Sequence, residues 1–136
     1  MNKFRLGIDI GSTTVKIAVL DNDNNIVFSD YERHFANIQE TLQVLLEKAV
    51  DNIGEFEAYP VITGSGGLTL AKHLEVPFTQ EVVAVSTALQ DYAPQCDVAI
   101  ELGGEDAKII YFTNGILFQP ANFFFIVILI FKYLRK

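Results

Sequence analysis

A short pattern of residues occurs twice in the chain and constrains its fold more than any other feature. Each copy is an apolar strand with an acidic residue near its end, then a glycine, a polar turn and a second strand. The two copies are Ile8-Asp9-Ile10-Gly11-Ser12-Thr13 and Ile100-Glu101-Leu102-Gly103-Gly104-Glu105. Because a helical segment separates them, the repetition indicates a duplicated subdomain plan.

Alternation of apolar and polar residues predicts three strands near the N-terminus. The apolar side chains alternate over residues 4–10 and 15–19, and residues 26–28 form a third short run. A polar turn at residues 11–14 joins the first two strands, and an Asp- and Asn-rich run at 21–25 joins the second to the third. Such short links predict an antiparallel meander.

A long amphipathic helix is predicted next. Apolar residues fall at helical spacing over residues 38–53, Asn37 and Glu40 resemble a capping box, and Gly54 is placed to end the helix. Residues 58–63 are typical of a buried strand, and the helical crossover predicts that it joins the sheet in parallel. With a further short helix, the predicted order is β-β-β-α-β-α in an α/β fold with a mixed five-stranded sheet.

The composition disfavours several classes of partner. Half of the residues are apolar and the net charge is −7, so the acidic surface repels nucleic-acid backbones and anionic membranes. The single cysteine, Cys96, fits a reducing cytoplasm. The unbroken apolar run at residues 123–131 is shorter than the ~20 residues of a membrane span. We therefore expect a cytoplasmic protein that binds no nucleic acid and does not span a membrane.

The first polar turn has the residue types of a phosphate site. Small residues between two strands let backbone N–H groups converge on an anion, hydroxyls add donors, and a lysine adds charge. The candidate phosphate ligands are Gly11, Ser12, Thr13, Thr14 and Lys16. Asp9 and a phosphate are both negative, so a cation must lie between them. Asp9 is therefore a candidate Mg²⁺ ligand that acts through water. The alternative is a polar hairpin turn with a solvent-exposed lysine.

The second turn concentrates carboxylates. Glu101, Glu105 and Asp106 surround Gly103 and Gly104, and their mutual repulsion is relieved by a cation or by open solvent. A carboxylate here can hold Mg²⁺ or orient a water toward a γ-phosphate, which makes Glu101 and Asp106 the candidate catalytic and metal residues. The alternative is an acidic surface loop.

These motifs resemble those of a known superfamily. Gly7-Ile8-Asp9-Ile10-Gly11-Ser12-Thr13-Thr14-Val15-Lys16 is similar to the phosphate-1 motif of the actin, Hsp70 and sugar-kinase ATPases, and Glu101-Leu102-Gly103-Gly104 to their phosphate-2 motif. With Thr63-Gly64-Ser65-Gly66-Gly67 and Gly103-Gly104-Glu105-Asp106-Ala107-Lys108, the set resembles the BadF/BadG/BcrA/BcrD ATPase family. The resemblance runs from residue 3 to about residue 117.

The resemblance implies a ribonuclease H-like, actin-like ATPase fold and an ATP-driven electron donor. Members activate 2-hydroxyacyl-CoA dehydratases or serve benzoyl-CoA reductases, and the activators are homodimers that share one [4Fe–4S] cluster. By this resemblance the first-turn residues contact the phosphates of ATP, while Asp9, Glu101 and Asp106 organise Mg²⁺ and water. Gly103 and Gly104 let the second turn approach the γ-phosphate.

The chain departs from the family in two respects. Glu101 stands where Asp is more usual, and the cluster cysteines expected downstream of the second motif are missing, since Cys96 precedes it. We therefore expect a first subdomain over residues 1–94, a truncated second one over 95–119 and an atypical apolar tail over 120–136. Such a chain alone would hydrolyse ATP poorly.

Two other interpretations stay open. In a sugar-kinase-like phosphotransferase of the same superfamily, Glu101 would act as base toward a sugar hydroxyl. In a non-catalytic actin-like interaction domain, the terminal apolar segment would pair with a partner. The glycine loop at residues 64–67 either faces the nucleotide or only turns a strand into a helix. His34 lies in a polar connection without the neighbours of a metal site.

Overall fold

The computed structural model describes residues 3–102 and 107–112. Their elements are β1 (Lys3–Ile10), β2 (Thr14–Leu20), β3 (Ile26–Arg33), α1 (Ile38–Ile53), β4 (Glu57–Thr63), α2 (Gly67–Leu74), α3 (Glu81–Tyr92), β5 (Val98–Leu102) and β6 (Ala107–Tyr111). The predicted β-β-β-α-β-α order is confirmed, and α3 follows it.

The main sheet has the strand order β3-β2-β1-β4. β2 pairs antiparallel with both β1 and β3, as the short turns predict. β4 pairs parallel with β1 after the α1 crossover, which confirms the predicted direction. The sheet is therefore mixed, and β1 is a central strand with a partner on each side.

Among the described residues this sheet has four strands instead of the expected five. On the free edge of β4, one residue, Phe78, makes an isolated parallel bridge to Ile62. The Ile62 N–H donates to the Pro77 carbonyl and the Thr79 N–H donates to the Ile62 carbonyl. Pro77 has no N–H of its own, so it cannot donate to a ladder, and pairing at this edge stops at a bridge.

Helix α1 covers the sheet with a stripe of apolar residues. Leu42, Leu45 and Ala49 are buried on it, and the helix packs against β2 and β3. Burial of one such leucine stabilises the fold by roughly 2 kcal/mol. The predicted capping box is not formed, because the Asn37 amide donates to the Glu40 carboxylate and caps no backbone N–H.

Strands β5 and β6 form a separate two-stranded antiparallel sheet. The side chains of Val98, Ile100 and Leu102 are exposed along one face of β5. The predicted boundary near residue 94 precedes this hairpin and stays a prediction. Within the two described ranges, no helix is long and apolar enough to cross a membrane.

Candidate functional site

The first polar turn closes the hairpin between β1 and β2. The Gly11 N–H donates to the Thr14 carbonyl across the turn at 2.9 Å. Ser12 is exposed, whereas Thr13 and Thr14 are partly buried. A Cβ atom added to Gly11 would only touch Thr14 at ordinary contact distance, 3.4 Å. Nothing in the described chain therefore requires glycine at position 11.

Asp9 and Lys16 face each other across this hairpin. They are directly opposite in the register of β1 and β2, and such cross-strand pairs lie on the same face of a sheet. Lys16 Nζ lies 2.6 Å from Asp9 Oδ2. The Asp9 side chain has no exposed surface, while that of Lys16 is partly exposed. The site thus holds a fully buried carboxylate behind a lysine that reaches solvent.

The glycine loop after β4 packs against the same carboxylate. Gly64 has a φ of +92°, and a Cβ atom there would overlap the Asp9 carboxylate and the Ile10 backbone. The Gly66 N–H donates to the Ile10 carbonyl at 2.9 Å. Glycine is required at position 64 both by the left-handed backbone and by this close approach. The loop therefore seats Asp9, whereas contact with a nucleotide stays a prediction.

Thr63 adds a polar group that the sequence analysis did not single out as a ligand. It pairs with Asp9 in the parallel register of β4 and β1, and it is buried. Its hydroxyl has no hydrogen-bond partner among the residues that the structure describes. A buried hydroxyl without a partner is costly, so its place beside Asp9 is consistent with a ligand or water at this edge. The signals in the sequence were its position at the end of a buried strand and at the start of the glycine motif.

His34 is the second residue that the sequence analysis missed. It is buried, its ring Nε2 lies 3.2 Å from the Gly11 carbonyl oxygen, and its backbone N–H donates to the Thr13 carbonyl. The connection that follows β3 is thereby attached to the phosphate turn. A lone histidine in a polar connection gave no hint of this, because the contact depends on the fold bringing residues 11 and 34 together.

The second predicted turn is described only in part. Gly103, Gly104 and Asp106 lie outside the described residues, as does Glu105. The backbone of Glu101 lies in β5, directly opposite Lys108 in β6. The structure thus brings together Asp9, Lys16 and the first turn, while the geometry joining them to the second turn lies beyond the described ranges.

A groove of about 590 Å³ lies between α1 and α2 and shares no residue with the first turn. Its lining combines apolar side chains such as Leu42, Leu46 and Leu70 with polar ones such as Gln39 and His73. No cluster of three or more acidic, histidine or cysteine residues that could hold a metal ion occurs in the described part of the chain. A cation at the first turn would therefore depend on ligand oxygens and water as well as on Asp9.

No protein-family model matches the chain. The uncharacterized protein MJ0004 of Methanocaldococcus jannaschii is 29% identical to it over 113 residues, which are 77% of this chain and 42% of that protein. Component A of the Acidaminococcus fermentans (R)-2-hydroxyglutaryl-CoA dehydratase matches in structure with a TM-score of 0.70 and 22% identity, over 82% of this chain and 44% of the other.

Two further solved structures match the chain. The activator of the 2-hydroxyisocaproyl-CoA dehydratase from Clostridium difficile, solved with bound ADPNP, matches with a TM-score of 0.59 and 23% identity, over 82% of this chain and 41% of the other. The ethanolamine utilization protein EutJ from Carboxydothermus hydrogenoformans matches with a TM-score of 0.62 and 13% identity, over 82% and 48%.

The chain has the actin-like ATPase fold. This ribonuclease H-like fold, expected from the two turn motifs, is confirmed by these structures. The chain spans less than half the length of the curated relative and of the solved structures given above. At identities of 13–23%, the similarity to the solved structures shows the fold alone.

Proposed function

We propose that this actin-like chain binds ATP·Mg²⁺ at the turn between β1 and β2. The observation that carries the proposal is the buried Asp9 carboxylate, paired with Lys16 behind a turn of small residues and seated by Gly64. Burial of a charge is costly, and a fold retains one where it is paired or coordinates a metal. A lysine reaching from this carboxylate to solvent is placed to receive an anion.

The chemistry of the donor set fits a nucleotide with its magnesium ion. Backbone N–H groups and hydroxyls of Gly11, Ser12, Thr13 and Thr14 would bind phosphate oxygens, and Lys16 would add a positive charge. Asp9 would hold Mg²⁺ through water, since this ion usually keeps several waters and takes one or two carboxylates beside the phosphates. When bound, the ion would neutralise charge on the phosphate oxygens.

The second turn is proposed as the other half of the site. Gly103 and Gly104 would approach the γ-phosphate, and Glu101 and Asp106 would orient a water or complete the magnesium shell. The repeated hairpin register supports this, because Glu101 lies opposite Lys108 as Asp9 lies opposite Lys16. The proposed subdomains are residues 1–94 and 95–119, with residues 120–136 as an apolar tail.

The finer proposal is that the chain is the N-terminal portion of an ATP-dependent activator of the BadF/BadG/BcrA/BcrD type. Its partner would be a CoA-ester dehydratase or reductase, to which such an activator drives electron transfer. The two dehydratase-associated structures support this by their fold. A homodimer and a cytoplasmic location are part of the same proposal.

The residues present do not fit the iron–sulfur cluster of such activators. A [4Fe–4S] cluster takes four cysteine thiolates, and two copies of a chain with one cysteine supply two. The thiol of Cys96 donates to the Val98 carbonyl within its own segment. No electron-transfer step is therefore assigned to the residues of this chain.

Calorimetric titration with ATP·Mg²⁺ tests the nucleotide site. We expect the wild-type chain to bind and Asp9→Ala to bind at least about tenfold more weakly, because it lacks the proposed magnesium ligand. Asp23→Ala is the matched control, since it removes an exposed carboxylate from the β2–β3 turn. No binding by the wild type at millimolar nucleotide would contradict the proposal and favour a non-catalytic interaction domain. Nucleotide turnover stimulated by a sugar would favour the phosphotransferase.

A further inference from the structure

His34 binds the first phosphate turn through both its ring and its backbone. Ring Nε2 lies 3.2 Å from the Gly11 carbonyl oxygen, and the His34 N–H donates to the Thr13 carbonyl at 3.1 Å. The other ring nitrogen, Nδ1, accepts from the Ala36 N–H at 3.0 Å. One buried side chain thus joins the β1–β2 turn to the connection between β3 and α1.

These contacts define a single tautomer of the imidazole. The Ala36 N–H can only donate, so Nδ1 must carry a lone pair. The Gly11 carbonyl can only accept, so Nε2 must carry the proton. The neutral ring with its proton on Nε2 satisfies both contacts at once, and it donates to the phosphate turn.

The backbone beside His34 is held in an unfavourable conformation. Phe35 and Ala36 have φ angles of +44° and +67°, in the left-handed region that residues with a Cβ atom rarely adopt. Phe35 is also 82% exposed, so packing of its own side chain does not explain the conformation. Strain of this kind persists where surrounding contacts impose it, and it is found at functional sites. Here the strained segment delivers the Ala36 N–H to the ring.

We propose that His34 is a positioning residue for the phosphate turn, an inference that rests on the proposed nucleotide site. The Gly11 carbonyl and the Ser12 N–H belong to one planar trans peptide, so they point in opposite directions. By holding the carbonyl toward β3, the imidazole turns the Ser12 N–H to the other side of the turn. His34 thereby prepares a donor for a phosphate oxygen of the nucleotide without touching it.

Two substitutions separate the two ring contacts. In His34→Gln the amide nitrogen is an ε atom, as Nε2 is, so it can still donate to the Gly11 carbonyl. In His34→Asn the side-chain oxygen is a δ atom, so it can accept from Ala36 but its amide is too short to reach Gly11. Each variant loses one hydrogen bond and remains polar, so similar thermal stabilities are expected.

The experiment measures ATP·Mg²⁺ affinity by calorimetry and the Ser12 amide resonance by ¹H–¹⁵N NMR in the full chain. We expect His34→Asn to raise the Kd roughly fivefold to tenfold and to shift the Ser12 resonance, because one oriented hydrogen bond is lost. His34→Gln should stay within about twofold of the wild type. Equal weakening in both variants, in proportion to lost stability, would overturn the proposal.

The NMR measurement keeps this inference separate from the proposed function. If the wild type does not bind ATP·Mg²⁺, the nucleotide site fails, and the resonances of ligand-free protein still test the positioning. Both substitutions remove the ring current of the imidazole, so the comparison is between the two variants. A Ser12 shift clearly larger in His34→Asn than in His34→Gln would support the orienting contact, and equal shifts in both variants would overturn it.

Discussion

The two hairpins of this chain share a local plan and differ in their surroundings. In each, an acidic residue lies opposite a lysine seven positions later, Asp9 with Lys16 and Glu101 with Lys108. The residue before the acid is an isoleucine in both. Ile8 is 3% exposed, whereas Ile100 is 55% exposed. Among the described residues, the same short pattern thus forms the same register in a buried hairpin and in an exposed one.

The difference between the two hairpins separates the effect of the local turn sequence from the effect of contacts with other elements. The β5–β6 hairpin pairs with itself, while β1 lies between β2 and β4. The β4 loop and His34 then fix Asp9 and the first turn from both sides. Local sequence therefore determines the hairpin, and distant elements add the contacts that hold Asp9 and the first turn.

The largest expected effect is at the loop that seats Asp9. Gly64→Ala should destabilise the protein by about 4 kcal/mol, because the left-handed backbone and the overlap with Asp9 and Ile10 both oppose a Cβ atom. Gly54→Ala is the matched control, with a φ of +79° and no atom within 4 Å of the added carbon. It should cost about 2 kcal/mol in urea denaturation, because its backbone angles (φ +79°, ψ −178°) are themselves unfavourable for a residue with a Cβ atom. Equal costs would mean that the loop does not press on Asp9.

The equivalent isoleucines test the comparison directly. Ile8→Ala should lower the free energy of unfolding by about 3 kcal/mol, because it leaves a cavity in the core. Ile100→Ala removes an exposed side chain and should change it by no more than about 0.5 kcal/mol. Chemical denaturation of both variants measures the difference. A large loss in Ile100→Ala would show that the second hairpin is covered as the first one is.

The buried ion pair should be sensitive to loss of its lysine. Lys16→Met should destabilise the protein by about 2 kcal/mol, because the buried Asp9 carboxylate loses its positive partner. Lys48→Met is the control, since Lys48 bridges the more exposed Asp30 and Glu32, and it should cost about 0.5 kcal/mol. Adding Asp9→Asn to Lys16→Met should recover part of the loss. A double variant no more stable than Lys16→Met would argue against a coupled pair.

The smallest expected effect concerns the turn between β2 and β3. Its acidic residue, Asp21, accepts hydrogen bonds from amide groups instead of pairing with a lysine. The Asn25 side-chain amide, followed by the Asn25 backbone N–H, lowers the pKa of Asp21 below its ordinary 3.8. The folded-state pKa is lower than the unfolded one, so the contribution to stability is present above about pH 4 and is lost as pH falls through the folded value. A ¹³C NMR titration should show the Asp21 pKa rising in Asn25→Ala. An unchanged Asp21 pKa in this variant would show that the Asn25 side-chain amide does not lower it.

Much of the fold followed from residue periodicity. Alternation predicted β1 and β2, a short apolar run predicted β3, and the spacing of Leu42, Leu45 and Ala49 predicted α1. Residues of β1, β2 and α1 are buried, whereas β3 has no fully buried residue. The main sheet has four strands among the described residues instead of five. The segment beside β4 contains Pro77, so it makes only an isolated bridge. The side chains of Asn37 and Glu40 had the spacing of a capping box but bonded each other, because the choice between partners depends on local backbone angles.

The site was predictable only where its residues are close in sequence. Asp9, Lys16 and the turn between them belong to one hairpin, so a local motif contained the whole arrangement. Gly64 and His34 reach the same turn from distant parts of the chain. The glycine loop was recognised in the sequence, but its contact with Asp9 and the contact of His34 with the turn depend on the fold. Sequence reasoning therefore proposed the ligands, which stay predictions, and did not foresee the contacts that hold Asp9 and the turn.

A ¹H–¹⁵N NMR titration of the full chain with ATP·Mg²⁺ tests for a phosphate site at the first turn. We predict saturable shifts of the amide resonances of residues 9–16 and 63–67, with little change on α1 and α2. Asp9→Asn should suppress these shifts at the same nucleotide concentration. Shifts centred on the groove between α1 and α2, or none at millimolar nucleotide, would contradict a phosphate site at the first turn.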